Sequence, residues 1–424
     1  MGEISLERLV APDAAWVSRQ VIGDPEIYAK ERTRIFERCW LVVAHESQLP
    51  APGDFVASTM GEEPVIVQRD RDGTVRVFLN SCSHRASRIC RTDRGNASTW
   101  ICPNHGWAFA TDGRLLAIPQ ILEGYGPDFD RASRSLLSAR TDVYRGFIFA
   151  TFDERAPDLV DYLGDAARYL DTVYDRYEGG VEVLGGQQKV VVDSNWKLVA
   201  ENLGTDLQHP EVAHGAFMEM WPDPVMSFMK ESEQVLTSAG HPICIGRQLP
   251  PYTERESALA LASTAEEERE IHEWFDDSLA YASKHLGDLY SGLYVFTGGI
   301  FPNLSFLPGI NAVYLCHPRG PLQTEWWSWC VVPAQAPKLV KEAMRSLFML
   351  ASGPGGIILA EDVENWADMT RSSLGEVGAR MPFDVSRGLG EEYTDPELPG
   401  SFATMRSEHA QRAFWRNWRR SMSA

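Results

Sequence analysis

The chain has 424 residues, of which 44% are hydrophobic and 23% charged, and its formal net charge is −19. This length exceeds one small core and makes two domains the natural expectation, while the composition is that of a water-soluble globular protein. The acidic balance argues against nucleic acid as a partner. The lack of an 18-residue apolar run argues against a membrane span. No basic and then apolar segment opens the chain over Met1–Leu6, so a cytoplasmic protein is expected. The seven Cys show no repeated spacing, as reduced thiols would rather than a disulfide framework.

Residues 1–39 read as mostly helical, most clearly Pro25–Arg38. β signals follow at Asp54–Ala57, Pro64–Gln68 and Val75–Leu79, the last two separated by an Asp72-Gly73 hairpin turn. More strands are expected at Thr99–Ile101, Trp107–Phe109 and Gly146–Ala150, with a turn at Thr111-Asp112-Gly113. Residues 40–155 thus read as a small all-β domain. From Asp158 the pattern becomes mixed. Helices are expected over 158–175, 195–214, 258–289, 337–351 and 357–369, and strands over 181–192, 293–296, 304–306, 312–316 and 325–332. This is an α+β domain with a largely antiparallel sheet. Gly353-Pro354-Gly355-Gly356 lacks the Lys and Ser/Thr of a phosphate loop and reads as a helix-entry turn.

Cys82-Ser83-His84 and Cys102-Pro103-Asn104-His105 form the pattern C-x-H-x17-C-x2-H. One Cys and one His on each of two loops, expected at hairpin tips, suit a Rieske [2Fe–2S] cluster. In such a cluster two Cys hold one iron and two His the other. Structural zinc is the alternative, although zinc sites usually pair Cys with Cys and His with His. A Cys82–Cys102 disulfide is a third reading, and it leaves both His idle. Arg85, Arg88, Arg91 and Arg94 give the segment a local positive excess, which suits an acidic electron donor or is simply a solvated face.

A second constellation lies at Asp206, His209 and His214. Asp206 and His209 share a face if the segment is helical. His209 and His214 are five apart and point to one metal only if the helix is distorted. Pro210 supplies a reason for distortion, because it lacks the amide hydrogen that would bond to the Asp206 carbonyl. Two His and a carboxylate make the facial triad of non-haem Fe(II) oxygenases. Glu361, Asp362 and Glu364 are candidates for the carboxylate, and periodicity does not choose among them.

The chain resembles the large (α) subunits of Rieske non-haem iron aromatic ring-hydroxylating dioxygenases. Phe78–Arg85 and Cys102–Trp107 look like the family's cluster signature. Asn195-Trp196-Lys197, Glu201-Asn202 and Asp206-x2-His209-x4-His214 look like its iron signature, and Glu361–Trp366 resembles its carboxylate segment. The resemblance implies a Rieske domain at 40–155, and a helix-grip (Bet v1-like) catalytic domain formed by 1–39 and 156–424. It implies a cluster on Cys82, His84, Cys102 and His105, and iron on His209, His214 and Asp362. It makes Asp206 the bridge for electrons between subunits of a homotrimer. Asn202, Leu203, Leu307 and Ile358, with Pro210, become pocket residues. The implied reaction uses O2, and electrons from NAD(P)H through a reductase and ferredoxin, to cis-dihydroxylate an aromatic ring. A small β subunit completes an α3β3 assembly in many members and is absent from others. The alternatives are a monooxygenase or demethylase of the same family, a pure electron carrier and a zinc protein. Among Arg247, Arg255, Arg269 and Arg319 none reads as pocket-facing, which favours a neutral aromatic over a carboxylate.

Overall fold

The computed structural model describes residues 6–126, 128–219, 230–248, 254–353 and 355–423. Residues 1–5 and Pro354 of the glycine-rich turn lie outside that set. The chain forms two compact units, one of residues 36–156 and the other of the residues before 36 together with 157 onward.

The small unit is a seven-stranded antiparallel sheet and a three-stranded one. Its strands are β1 (Leu41–His45), β2 (Asp54–Met60), β3 (Glu63–Arg69), β4 (Val75–Leu79), β5 (Arg94–Asn96), β6 (Trp100–Ile101), β7 (Ala108–Phe109), β8 (Leu115–Ala117), β9 (Ser138–Tyr144) and β10 (Phe147–Thr151). The large sheet runs β1–β10–β9–β4–β3–β2–β5 and the small one β6–β7–β8. Asp72-Gly73 makes the β3–β4 hairpin, with Gly73 at φ 86°, a conformation glycine adopts at little cost. Phe55, Ile66, Phe78, Trp100, Trp107 and Phe109 fill the core beside Cys82 and Cys102.

The larger unit is organised by a nine-stranded antiparallel sheet. Its elements are α1 (Pro25–Glu31), α2 (Ala166–Tyr174), β11 (Val181–Val183), β12 (Gln188–Val192), α3 (Trp196–Thr205), α4 (Pro210–Ala213), β13 (Glu233–Leu236), β14 (Pro242–Gly246), α5 (Glu254–Leu259), α6 (Ala265–Ser291), β15 (Tyr294–Ile300), β16 (Leu304–Leu307), β17 (Ala312–Pro318), β18 (Thr324–Pro333), α7 (Lys338–Ser352), α8 (Ile357–Leu374), β19 (Ser401–Thr404) and α9 (His409–Ser423). The sheet order is β11–β18–β17–β16–β15–β14–β13–β19, and β12 also pairs with β18. α3 lies across β15, β16 and β17, and α9 against α3, β13 and β14. The approach is close because Gly204 meets Gly299. A Cβ on Gly204 would stand 3.3 Å from the Gly299 Cα.

Several expectations need correction. Residues 16–18 form a short strand paired with 382–384, which interrupts the otherwise helical segment before residue 39, while Pro25–Phe36 is helical throughout. The helix expected over 258–289 is two helices, α5 and α6, because Thr264 caps the second through a reciprocal bond with Glu267. Residues 338–374 are, by length and composition alone, apolar enough to cross a membrane. They form two helices, and Val340, Met344, Phe348, Leu359 and Trp366 are buried in the larger unit.

One buried cluster ties the larger unit together. The Glu31 carboxylate, at the end of α1, accepts from Lys197 Nζ at 2.7 Å, Trp196 Nε1 at 2.8 Å and Trp418 Nε1 at 2.6 Å. Glu31 and Lys197 are fully buried. A buried ion pair persists only when its remaining lone pairs are also satisfied, and the two indole donors do this.

Candidate metal centres and the adjoining pocket

In the small unit, the second motif loop sits at the tip of the β6–β7 hairpin. The first does not sit at a hairpin tip. It connects β4 to β5, which are separated in the sheet by β3 and β2. Its shape comes from Asn80, a residue the sequence reading passed over. Asn80 Oδ1 accepts from Ile89 N at 3.0 Å and Cys90 N at 2.8 Å, while Nδ2 donates to the Cys90 carbonyl at 2.8 Å.

The two loops bring Cys82, His84, Cys102 and His105 together. The His84 and His105 rings lie 4.6 Å apart, and His84 stacks on Trp107 at 4.8 Å with an interplanar angle of 7°. Burial pushes the Cys82 thiol up. Burial also works against the Cys102 thiolate, but the amides of Asn104 and His105 and the side chains of Cys82 and Ser87 outweigh it and bring Cys102 below the usual thiol range. Backbone N–H groups aimed at the sulfurs are the kind of bond that tunes an iron–sulfur cluster. None of the seven cysteines is in a disulfide. His84 Nδ1 is buried with no hydrogen-bond partner. Two thiols and two imidazoles, one with an orphaned ring nitrogen, are the donor set a Rieske cluster requires.

In the larger unit, Asn195 starts α3. Its Oδ1 accepts from Lys197 N at 3.0 Å, and its own amide donates to Thr370 Oγ1 on α8 at 3.2 Å. α3 ends at Thr205, and Asp206 is extended at φ −93°, ψ 104°. Asp206 and His209 therefore do not share a helix face. The Asp206 carboxylate accepts from Gln208 N at 2.8 Å and His209 N at 3.3 Å, closing the turn that leads into α4. Pro210 does not distort a continuing helix either. It is the first residue of α4, where its missing amide hydrogen costs nothing. The break turns His214 back toward His209.

His209 Nε2, His214 Nε2 and Asp362 Oδ1 converge. The two nitrogens are 3.1 Å apart, and the oxygen lies 3.4 Å from His209 and 3.2 Å from His214. Ligands about 2.1 Å from one octahedral centre are separated by ~3.0 Å, so the spacing fits a metal ion. This triad is the grouping of potential metal-holding His, Cys, Asp and Glu found among the described residues. Asp362 is presented by the buried stripe of α8, Leu359, Asp362, Trp366, Thr370 and Ser373. Glu361 Oε2 instead lies 2.7 Å from His214 Nδ1. Glu364 is exposed, 3.4 Å from Arg371.

The surroundings favour positive charge at this spot. Burial raises the Asp362 carboxyl, but bonds from the two His rings more than reverse that, so it titrates below the usual range. Burial likewise disfavours a charged His209, yet Asp206 and Asp362 lift that ring to about 10. A metal cation would satisfy the same carboxylates. His209 Nδ1 lies 3.3 Å from Asp206 Oδ2 and 3.1 Å from Asn202 Nδ2. Trp366 Nε1 donates to Asn202 Oδ1 at 2.9 Å, which turns the amide nitrogen toward His209.

A pocket of about 170 Å³ adjoins the triad. Asn202, Leu203, Pro210, Leu307 and Ile358 line it, together with Phe217, Phe296, Tyr314, Trp326 and Leu347. A second recess, of about 420 Å³, reaches Asn202, Asp206, His209 and Asp362 past Glu201, Trp366 and Ser373. Arg255, which the sequence reading did not place at a pocket, lines a further cavity with Arg176.

Residues 39–125 match the Rieske [2Fe–2S] domain family, and residues 163–424 match the ring hydroxylating alpha subunit (catalytic domain) family. The chain is 36% identical to the biphenyl 2,3-dioxygenase subunit alpha of Rhodococcus jostii (strain RHA1), over 100% of this chain and 92% of that protein. It is 34% identical to the benzene 1,2-dioxygenase subunit alpha of Pseudomonas putida, over 99% of this chain and 94% of that protein. The crystal structure of naphthalene 1,2-dioxygenase from Rhodococcus sp. bound to indole superimposes with a TM-score of 0.82 and 31% identity, covering 96% of this chain and 94% of that one. A cluster-binding β unit, an α+β unit with a His/His/Asp triad and these matches along nearly the whole chain lead to one conclusion: it belongs to the Rieske-type ring-hydroxylating α subunit family.

Proposed function

We propose that the chain is the terminal oxygenase component of an aromatic ring-hydroxylating dioxygenase, with iron on His209, His214 and Asp362 and a [2Fe–2S] cluster on Cys82, His84, Cys102 and His105. The observation that carries this reading is the convergence of three ligand atoms beside an apolar pocket, in a chain that also has a Rieske domain. When bound, the cluster supplies single electrons and the iron activates O2. The protein's share is positioning and exclusion of water. Glu361 would hold the proton of His214 on Nδ1, leaving the Nε2 lone pair for the metal, while Asp206 and Asn202 fix the orientation of the His209 ring from its Nδ1 side. Leu203, Leu307, Ile358 and Phe296 line the pocket beside the triad and would keep water from the ring. With two electrons and two protons, both oxygen atoms of O2 would then add to neighbouring ring carbons, giving a cis-dihydrodiol.

Electrons come from NAD(P)H through a reductase and ferredoxin. The exposed Arg85, Arg88, Arg91 and Arg94 offer an acidic donor a docking surface. The family resemblance supports a homotrimer, with or without a small β subunit, in which Asp206 links His209 to the partner subunit's His105. Relatives named for biphenyl and benzene and the apolar pocket support a neutral aromatic substrate.

The test is iron and acid-labile sulfide content, EPR of the reduced protein, and product analysis under labelled O2. Three irons and two sulfides per chain, a Rieske signal and two labelled oxygens in the product are expected. One labelled oxygen points to the monooxygenase alternative. Zinc without sulfide overturns the reading. Asp206→Asn should keep both metal sites loaded while turnover falls by about 10–100-fold.

A further inference from the structure

Asp206 reaches His209 from a turn that does little to hold itself. Its Oδ1 accepts from the amides of Gln208 at 2.8 Å and His209 at 3.3 Å, and its Oδ2 lies 3.3 Å from His209 Nδ1. Among the described residues, the carboxylate makes no hydrogen bond outside residues 206–209. Hydrogen bonds of this kind contribute only about 1 kcal/mol each, so the turn alone is a loose mount for a group that must face one ring nitrogen.

The Gln208 side chain supplies the missing anchor. Its Nε2 donates to the Ser407 carbonyl at 2.5 Å, and its Oε1 accepts from Arg387 Nη1 at 2.5 Å. Both partners are themselves pinned. The Ser407 carbonyl also accepts from Gln234 Nε2 of β13 at 2.6 Å. The Arg387 carbonyl accepts from Nη1 of the fully buried Arg412 at 2.8 Å, and the Arg387 amide donates to Glu408 Oε2 at 3.1 Å. Gly388 allows the close approach of these two stretches: at φ 67°, a Cβ on it would stand 2.7 Å from Ser407 Oγ. Next to Gln208, Leu207 packs with Cys244, Met405 and Ala410. Gln208 lines neither the pocket nor the recess beside the triad, so contact with substrate does not account for it.

Resting on the ring-hydroxylating reading, we propose that Gln208 is a positioning residue for electron entry into the iron site. Its two-armed grip on Arg387 and Ser407 fixes the turn, and the turn fixes Asp206 against His209 Nδ1. Each electron that leaves the neighbouring subunit's reduced cluster, returning that cluster to its oxidised state, reaches the iron through this contact. A support of this kind acts by restricting geometry rather than by touching the reacting atoms.

The test uses holoenzyme of wild type, Gln208→Leu, Gln208→Glu and Arg387→Met. Each is reduced with dithionite, freed of excess reductant and mixed with O2 and toluene, while visible absorbance follows reoxidation of the cluster. Gln208→Leu should slow reoxidation by about tenfold, with iron, sulfide, cluster midpoint potential and KM for toluene unchanged. Gln208→Glu keeps the contact with Arg387, and Arg387→Met keeps the one with Ser407, so each should slow it less. The EPR spectrum of nitric oxide on the Fe(II) site should also change in Gln208→Leu, because the His209 ring is freed to turn. A rate per loaded iron equal to wild type, or a fall matched by loss of iron as a purely structural role would give, overturns the proposal. Should Gln208→Leu not fold, Arg387→Met, at an exposed residue, decides by the same measure. A wild-type cluster that O2 fails to reoxidise with toluene or any other aromatic overturns the ring-hydroxylating reading instead, and the nitric oxide spectrum then still decides whether Gln208 sets His209.

Discussion

The two donor sets are built in opposite ways. In the small unit all four side chains fall between residues 82 and 105, on loops whose shape is set by backbone bonds and by Asn80. In the larger unit the carboxylate stands 148 positions after His214, and every donor is steered by a neighbour: His209 by Asp206 and Asn202, His214 by Glu361, Asp362 by its place on α8. The first is a local site carried by a scaffold. The second exists only when α3 and α8 are docked, which Asn195–Thr370 and Asn202–Trp366 accomplish. Charge divides the same way. Residues 36–156 hold 14 Arg, no Lys and 15 acids, so nearly all of the net −19 belongs to the larger unit.

The largest effects should separate the two sites cleanly. Cys102→Ser should lose the sulfide and two irons but keep the third, and Asp362→Ala should do the reverse. Both should abolish turnover, with iron, sulfide and EPR analysis distinguishing them. Crossed losses would break the comparison. Next, Lys197→Met leaves Glu31 buried and uncompensated, and should cost about 3–5 kcal/mol by denaturant titration. The double variant with Glu31→Gln should recover part of that. Glu361→Gln should then weaken iron affinity by about 10–100-fold, read by chelator competition, with no change in cluster content. The smallest effect concerns Glu201. Burial, then the charges of Asp206 and Glu408, raise it from 4.5 to about 8. Between those values the folded chain retains a proton that the unfolded chain has released, so stability falls as pH rises through that window. Glu201→Gln should flatten the decline, giving a higher Tm than the parent at pH 8 and a similar one at pH 4.

The same contrast explains what the sequence could say. The cluster pattern was legible because ligand spacing within a loop is itself the geometry. His209 and His214 were legible as a pair, but the fold around them was misjudged. Pro210 was taken as the disruptor of one helix, whereas Asp206 ends the first helix and caps the turn into the next. The carboxylate stayed open among three residues because neighbours on a helix point about 100° apart and only packing selects one. The spacing of Leu359, Trp366 and Thr370 was a usable signal, since Asp362 lies on their face. The loop joining β4 to β5 was mistaken for a hairpin tip because strand order across a sheet is set by long-range pairing rather than by turn chemistry. The cavity that Arg176 and Arg255 line left no signal, since its walls come from elements as far apart as Val173 and Met344.

The Glu31 cluster bears on the timing of assembly. Trp418 is one of its three donors, and α3, which leads into His209, carries the other two on Trp196 and Lys197. While the chain is being synthesised, the small unit is complete long before α9 emerges from the ribosome. The helix at the head of the iron site must wait for α9. Cluster insertion can therefore precede completion of the buried network at the head of the iron site.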